Sequence, residues 1–251
     1  MGLLIDVAVA TTNKYASRES GDTVEIVERP AGGLAAVLCD GQGSGRAAKS
    51  LSLLVAAKAV ALLQDGVREG AVARAVHDSL FTRRHGQISA TLDILSVDLA
   101  GGAVVLCRNA ETPLLVLQDG EWSLADCRAE PIGRYPGTRP AMTRFPMAAG
   151  LWLALVSDGV SDAGSRVDRG PLDLTATARD LEPASAQALA DGLLAAAIAR
   201  DEGRPRDDMS VVALALTDHA ETMLIRRMRV AVPVAAVPRP YDPPWPDGDG
   251  R

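Results

Sequence analysis

The chain has 251 residues, 47% hydrophobic and 3% aromatic, with a formal net charge of -6. Such a length and composition support a large core of Ala, Leu and Val and exclude general disorder. The acidic balance and the lack of aromatic platforms give no reason to expect nucleic acid or an anionic membrane as partner. An excess of acids suits a metal site better. Cys39, Cys107 and Cys127 are odd in number and show no zinc or disulfide spacing. Cys39 and Cys107, in apolar strand-like runs, read as buried thiols, and a reducing cytoplasm is expected.

Leu3 to Thr11 alternates loosely and reads as a strand, and Ser20-Gly21-Asp22 is a turn signal. Thr23 to Glu28 and Leu34 to Cys39 are further strands. Their short links predict an antiparallel meander of all three. The apolar run Leu34–Cys39 ends at Asp40, and Gly41-Gln42-Gly43-Ser44-Gly45 follows. An acid at a strand end, followed by Gly, sets a carboxylate where backbone can approach a ligand closely.

Arg46 to Gln64 and Arg68 to Arg83 have helical periodicity and should pack antiparallel. Lys49 and Lys58 make the first a water-exposed helix rather than a membrane span. Leu92–Leu99 and Ala103–Arg108 form a hairpin, and Asp119-Gly120 predicts a type I′ turn between Leu114–Gln118 and a strand from Trp122. Arg128 to Pro140 is a loop. Ala141–Phe145 and Leu151–Ser157 are strands, the second ending in Ser157-Asp158-Gly159.

Arg166 to Pro183 is a polar insertion with room for a short helix or flap. Ala184 to Arg200 is a third long helix, Asp201–Asp208 a charged loop, and Met209–Leu216 a strand. Glu221 to Val232 reads as an exposed edge strand. The organisation expected is one domain over 1–232 and a disordered tail over 233–251, rich in Pro, Gly and Asp. Strands, two helices, many strands, one helix and then strands make an α+β sandwich of antiparallel sheets.

Asp22, Asp40, Asp158 and the pair Asp207-Asp208 all sit at strand edges or in loops feeding strands. Any single Asp-Gly is usually a turn. Two apolar strands ending in Asp-Gly and a third preceded by Asp-Asp are a stronger pattern. Carboxylate oxygens suit hard ions such as Mg²⁺ and Mn²⁺. Two such ions, about 3.5–4 Å apart, can generate hydroxide and clamp a phosphate.

These segments, Ser20-Gly21-Asp22, Asp40-Gly41-Gln42-Gly43-Ser44-Gly45, Ser157-Asp158-Gly159-Val160 and Asp207-Asp208-Met209-Ser210-Val211-Val212, resemble the successive motifs of the type 2C metal-dependent protein serine/threonine phosphatases. They are most similar to the bacterial SpoIIE-like branch, over about residues 4 to 217. The resemblance implies an αββα four-layer sandwich with two Mn²⁺ or Mg²⁺ ions between the sheets. It implies that Asp40 bridges both ions and the Gly41 carbonyl binds one, with Asp158 and Asp207 on the other. Asp22 would hold metal-bound water or ligate directly, and Asp208 would support the ligands from behind. Asp40 and Asp158 are the residues it makes catalytic, through water attacking phosphorus in line.

The implied substrate is a phosphoserine or phosphothreonine on a bacterial regulatory protein of the anti-anti-sigma type. With no room for an N-terminal sensor domain, control is expected from a partner, another chain or expression; the oligomeric state is not assigned. Where eukaryotic relatives carry a His general acid, this chain has Gln42. No arginine is assigned to phosphate; Arg18 has the wrong spacing and reads as a surface side chain.

Two alternatives stand. Gly43 to Ser50 nearly fits a P-loop, with Ala48 in the last Gly position and Lys49 as its lysine. That would make the protein a nucleotide hydrolase. A catalytically weak interaction module of the same fold is the other.

Overall fold

The computed structural model describes residues 2–220 and 225–233. One compact unit is Met1–His219 and the other Ala220–Arg251. The first contains two five-stranded antiparallel sheets. The first sheet is ordered β1 (Gly2–Thr12), β10 (Met209–His219), β9 (Trp152–Val156), β6 (Leu114–Gln118) and β7 (Glu121–Ala125). The second is ordered β2 (Asp22–Glu28), β3 (Leu34–Asp40), β4 (Leu92–Asp98), β5 (Ala103–Asn109) and β8 (Ala141–Pro146). Helices α1 (Gly45–Gln64) and α2 (Glu69–Arg84) lie on the second sheet; α5 (Ala186–Arg200) lies on the first. The short helices α3 (Asp158–Ser161) and α4 (Leu174–Leu181) fall between β9 and α5.

Alternation along the strands builds the four layers. In β3, Ala35, Val37 and Cys39 pack against α1 and α2, while Ala36 and Leu38 face the opposite sheet. In β10, Val211, Ala213 and Ala215 meet α5, and Val212, Leu214 and Leu216 fill the space between sheets. Each central strand is therefore buried on both faces, which explains runs that are apolar throughout rather than every second residue. In α1, Ala48, Leu51, Val55, Ala56, Ala59 and Leu63 are buried on the sheet, so its apolar composition serves a core face. All three cysteines are free and buried. Asp119 and Gly120 both take positive φ, 55° and 80°, as a type I′ turn requires.

Two expectations are corrected. β1 does not join β2 and β3 in a meander. It pairs with β10 across the whole register from Gly2↔His219 to Thr12↔Met209. An eleven-residue ladder with matched alternation outweighs the short link to β2, and residues 13–21 cross from one sheet to the other. The edge strand expected over 221–232 is not formed over its described part, 225–232. Residues 221–224 lie outside the described residues, and 225–233 have no regular structure. Their apolar side chains, including Met228 and Val230, stay exposed. Of the tail expected over 233–251, residues 234–251 lie outside the described residues.

Candidate metal centre

β2 and β3 pair so that Asp22 stands directly opposite Asp40. Like charges directly opposite on a ladder are destabilising, so this register calls for a cation. Both residues lie on the face that carries Val24 and Leu38 toward the other sheet. From that other sheet, β9 delivers Asp158 just past its end, and the loop into β10 delivers Asp207 and Asp208. All five aspartates line one cavity of about 330 Å³, together with Gly41, Gln42, Ser89 and Thr91.

The two Asp-Gly pairs are not turns. A Cβ on Gly41 would sit 2.2 Å from the Ala48 carbonyl oxygen, and one on Gly159 would sit 2.1 Å from that of Asp208. Neither glycine needs a positive φ. Each is there because another backbone passes against it, α1 in one case and the 207–208 loop in the other. That contact presses the strand ends together and fixes where Asp40 and Asp158 emerge.

Hydrogen bonds lock the rim. The Asp40 N–H donates to Thr91 Oγ1 at 3.0 Å, and the Thr91 N–H donates to the Asp40 carbonyl at 2.9 Å. The N–H groups of Lys14 and Gly21 donate to Asp208 Oδ1 and Oδ2 at 2.8 and 2.7 Å. Asp208 thus ties both ends of the 13–21 link to the β10 entry with both oxygens committed. Gln42 Oε1 accepts from the Ser89 N–H at 2.9 Å, so this side chain braces the loop. Asp22 Oδ2 is buried with no hydrogen-bond partner.

The electrostatics agree. Burial pushes the Asp40 carboxyl up to about 8, with Asp22, Asp158, Asp207 and Asp208 adding to it. Burial raises Asp22 to about 6, against the neighbouring Ser210 and Ser157 hydroxyls, which lower it. Asp158 is raised as well, by burial and then by Asp207 and Asp162.

The donor set is all oxygen, five carboxylates and the Gly41 carbonyl, without sulfur or imidazole. That chemistry fits a hard divalent ion, and the Asp22 oxygen without a hydrogen-bond partner is an acceptor left for one. Among the described residues no three such side chains close on a single point. In this arrangement much of an ion's shell would fall to water, and an ion shared by Asp40, Asp158 and Asp207 would have to draw their side chains closer together.

The P-loop alternative loses its lysine. Lys49 Nζ donates to the Asp22 carbonyl at 2.6 Å and to Thr23 Oγ1 at 3.0 Å, so it fastens α1 to β2. The antiparallel sheet around it also lacks the parallel strands of a P-loop fold. Arg18 is exposed and makes no hydrogen bond or ion pair among the described residues.

Two features were not foreseen. Arg166, in the polar insertion, donates to Asp207 Oδ2 at 2.8 Å. A second cavity, of about 570 Å³, shares Asp40, Thr91, Pro131 and Asp158 with the first. It runs on past Glu111, Thr112, Leu124 and Leu172. Neither carries a sequence motif; the only signal was the length of the insertion.

Two antiparallel sheets flanked by helices, with acids gathered at one end between them, are the fold of the PP2C-type serine/threonine phosphatases. The catalytic domain of the phosphatase PstP, solved with two manganese ions, superposes with a TM-score of 0.68 at 20% identity, covering 86% of this chain and all of that one. The PP2C phosphatase domain of SpoIIE from Bacillus subtilis, with a fragment of its regulatory domain, gives 0.77 at 23% identity, covering 87% of this chain and 65% of that one. The family model for Stage II sporulation protein E (SpoIIE) matches residues 30–217, and the chain belongs to that family. It is 25% identical over 213 residues to Stage II sporulation protein E of Priestia megaterium, which covers 85% of this chain and 36% of that relative. The chain therefore spans about a third of the length of that relative.

Proposed function

We propose that this protein is a Mn²⁺- or Mg²⁺-dependent protein serine/threonine phosphatase. The observation that carries the reading is the register of β2 and β3, which sets Asp22 against Asp40 in a cleft that Asp158 and Asp207 also enter. Asp40 and the Gly41 carbonyl would hold one ion, and Asp40, Asp158 and Asp207 a second, with Asp22 on its bound water. Two such ions supply a water of lowered pKa and neutralise the charge of a phosphate.

The chain's own residues set the rest. Asp208 and Thr91 hold the ligand-bearing loops in place. Gln42 has no acidic proton, and its carbonyl is already taken up by Ser89. The leaving serine or threonine oxygen therefore takes its proton from solvent. The second cavity continues from Asp40 and Asp158 along mixed apolar and polar walls, a path for the polypeptide on either side of the phosphorylated residue. The substrate we propose is a phosphorylated regulatory protein of the anti-anti-sigma type, in the cytoplasm.

Hydrolysis of p-nitrophenyl phosphate and of a phosphoserine peptide tests this. Activity is expected with Mn²⁺ and is expected to vanish in EDTA. Turnover that persists in EDTA would overturn the reading.

A further inference from the structure

Two divalent ions would draw a phosphate into the pocket, but the five carboxylates still outweigh their charge by one. The pocket needs a cation that can reach the phosphate from the protein side. Among the described residues, one cationic side chain pairs with any of the five, and that is Arg166. It sits in a short 3-10 turn, Ser165–Val167, inside the insertion between β9 and α5.

Its position is built. Asp201, at the end of α5 and 2% exposed, accepts from the Gly164 N–H at 2.8 Å and from the Arg206 N–H at 2.7 Å. One buried carboxylate thus suspends both the turn carrying Arg166 and the loop carrying Asp207. Gly164 takes φ +90°, and a Cβ there would meet Arg200 Cγ at 2.4 Å, so the turn has little freedom to shift. Arg166 spans the gap between these two anchored segments. It donates from one terminal nitrogen to the Arg206 carbonyl at 2.7 Å and from the other to Asp207 Oδ2 at 2.8 Å.

A guanidinium has five N–H groups. Two are used, and the others make no hydrogen bond to the described protein. Its side chain is 55% exposed and lies outside the residues that line the two cavities, so its link to the acidic cleft is its contact with Asp207. A planar fork held beside a metal-ligating carboxylate, with donors to spare, has the geometry that recognises phosphate oxygens.

We infer that Arg166 is the phosphate-binding residue of this site, presented by a turn that Asp201 pins in place. The inference rests on the phosphatase reading and adds the residue that the sequence left unassigned. It predicts that the insertion contributes to substrate affinity through one side chain rather than only shaping the groove.

The test is inorganic phosphate binding to the Mn²⁺-loaded protein by calorimetry, with manganese affinity measured separately for each variant. Loss of a charge-assisted pair predicts that Arg166→Ala weakens phosphate about tenfold or more at saturating Mn²⁺. The KM for p-nitrophenyl phosphate should rise in parallel while kcat changes little, and Arg166→Lys should recover part of the loss. Phosphate affinity and KM within about twofold of wild type at saturating metal would overturn it. So would a variant whose only defect is weaker manganese binding, because that is what a brace for Asp207 alone would give. Phosphate binding is read without turnover. An inactive wild type would therefore sink the phosphatase reading while leaving this measurement decisive for Arg166.

Discussion

Replacing Asp40 by Asn is expected to lower phosphatase activity at least about a hundredfold while making the metal-free protein more stable at pH 8. The two effects have one cause. Asp40 is held beside Asp22, Asp158, Asp207 and Asp208 in a buried cleft, and its carboxyl is pushed up to about 8. In the unfolded chain an aspartate titrates near 3.9. Between about pH 4 and pH 8 the folded metal-free protein therefore holds a proton that the unfolded chain has lost. Stability must fall as pH rises through that window, and the full penalty is present above it. For a carboxyl raised this far, the fall is on the order of a few kcal/mol, shared with Asp22 and Asp158, which are raised too. Asn carries no charge and removes Asp40's share. Urea unfolding in EDTA at pH 5 and pH 8 reads this directly. Wild type should weaken toward pH 8, and Asp40→Asn should weaken less. A wild type that gains stability from pH 5 to pH 8 would contradict the picture of uncompensated carboxylates.

Arg108→Leu is expected to cost about 3–5 kcal/mol of stability, the largest effect predicted outside the acidic cleft. Arg108 is fully buried on β5, and its guanidinium meets both oxygens of Asp93 on β4 at 2.9 Å. It also donates to the carbonyl and the hydroxyl of Thr112 at 2.8 Å and to Cys127 Sγ at 3.6 Å. Every donor is occupied. Removing the arginine leaves Asp93, 2% exposed, as a buried carboxylate that burial already pushes up. It also frees residues 110–113, which wall the second cavity beside the metal centre. The double variant Arg108→Leu/Asp93→Leu should recover most of the loss, because a buried pair replaced whole by apolar groups is often neutral. A single variant as stable as wild type in chemical denaturation would show that the pair is not structural.

What was legible in the sequence follows from what is local. Asp40 and Asp158 stood out because each ends an apolar run and precedes a glycine. Both strands are where they were expected, and so are the three long helices, to within two residues. The partner of β1 was not legible. Its ladder to β10 joins residues at opposite ends of the compact unit, and link length misdirected the pairing to β2. The same limit hid the Asp22–Asp40 register, the most telling fact about the site, because register depends on both strands at once. Arg108 looked like the polar end of a hairpin strand, since nothing in its own segment shows that Asp93 lies across the ladder. Arg166 and Asp201 were lost in charged stretches with no periodicity, where only the folded contacts separate an anchored side chain from a solvated one.

Calorimetric titration of the purified protein with Mn²⁺ tests the central claim most directly. Two ions per chain are predicted, with uptake lost or halved in Asp40→Asn. A wild type that binds no manganese would contradict the account.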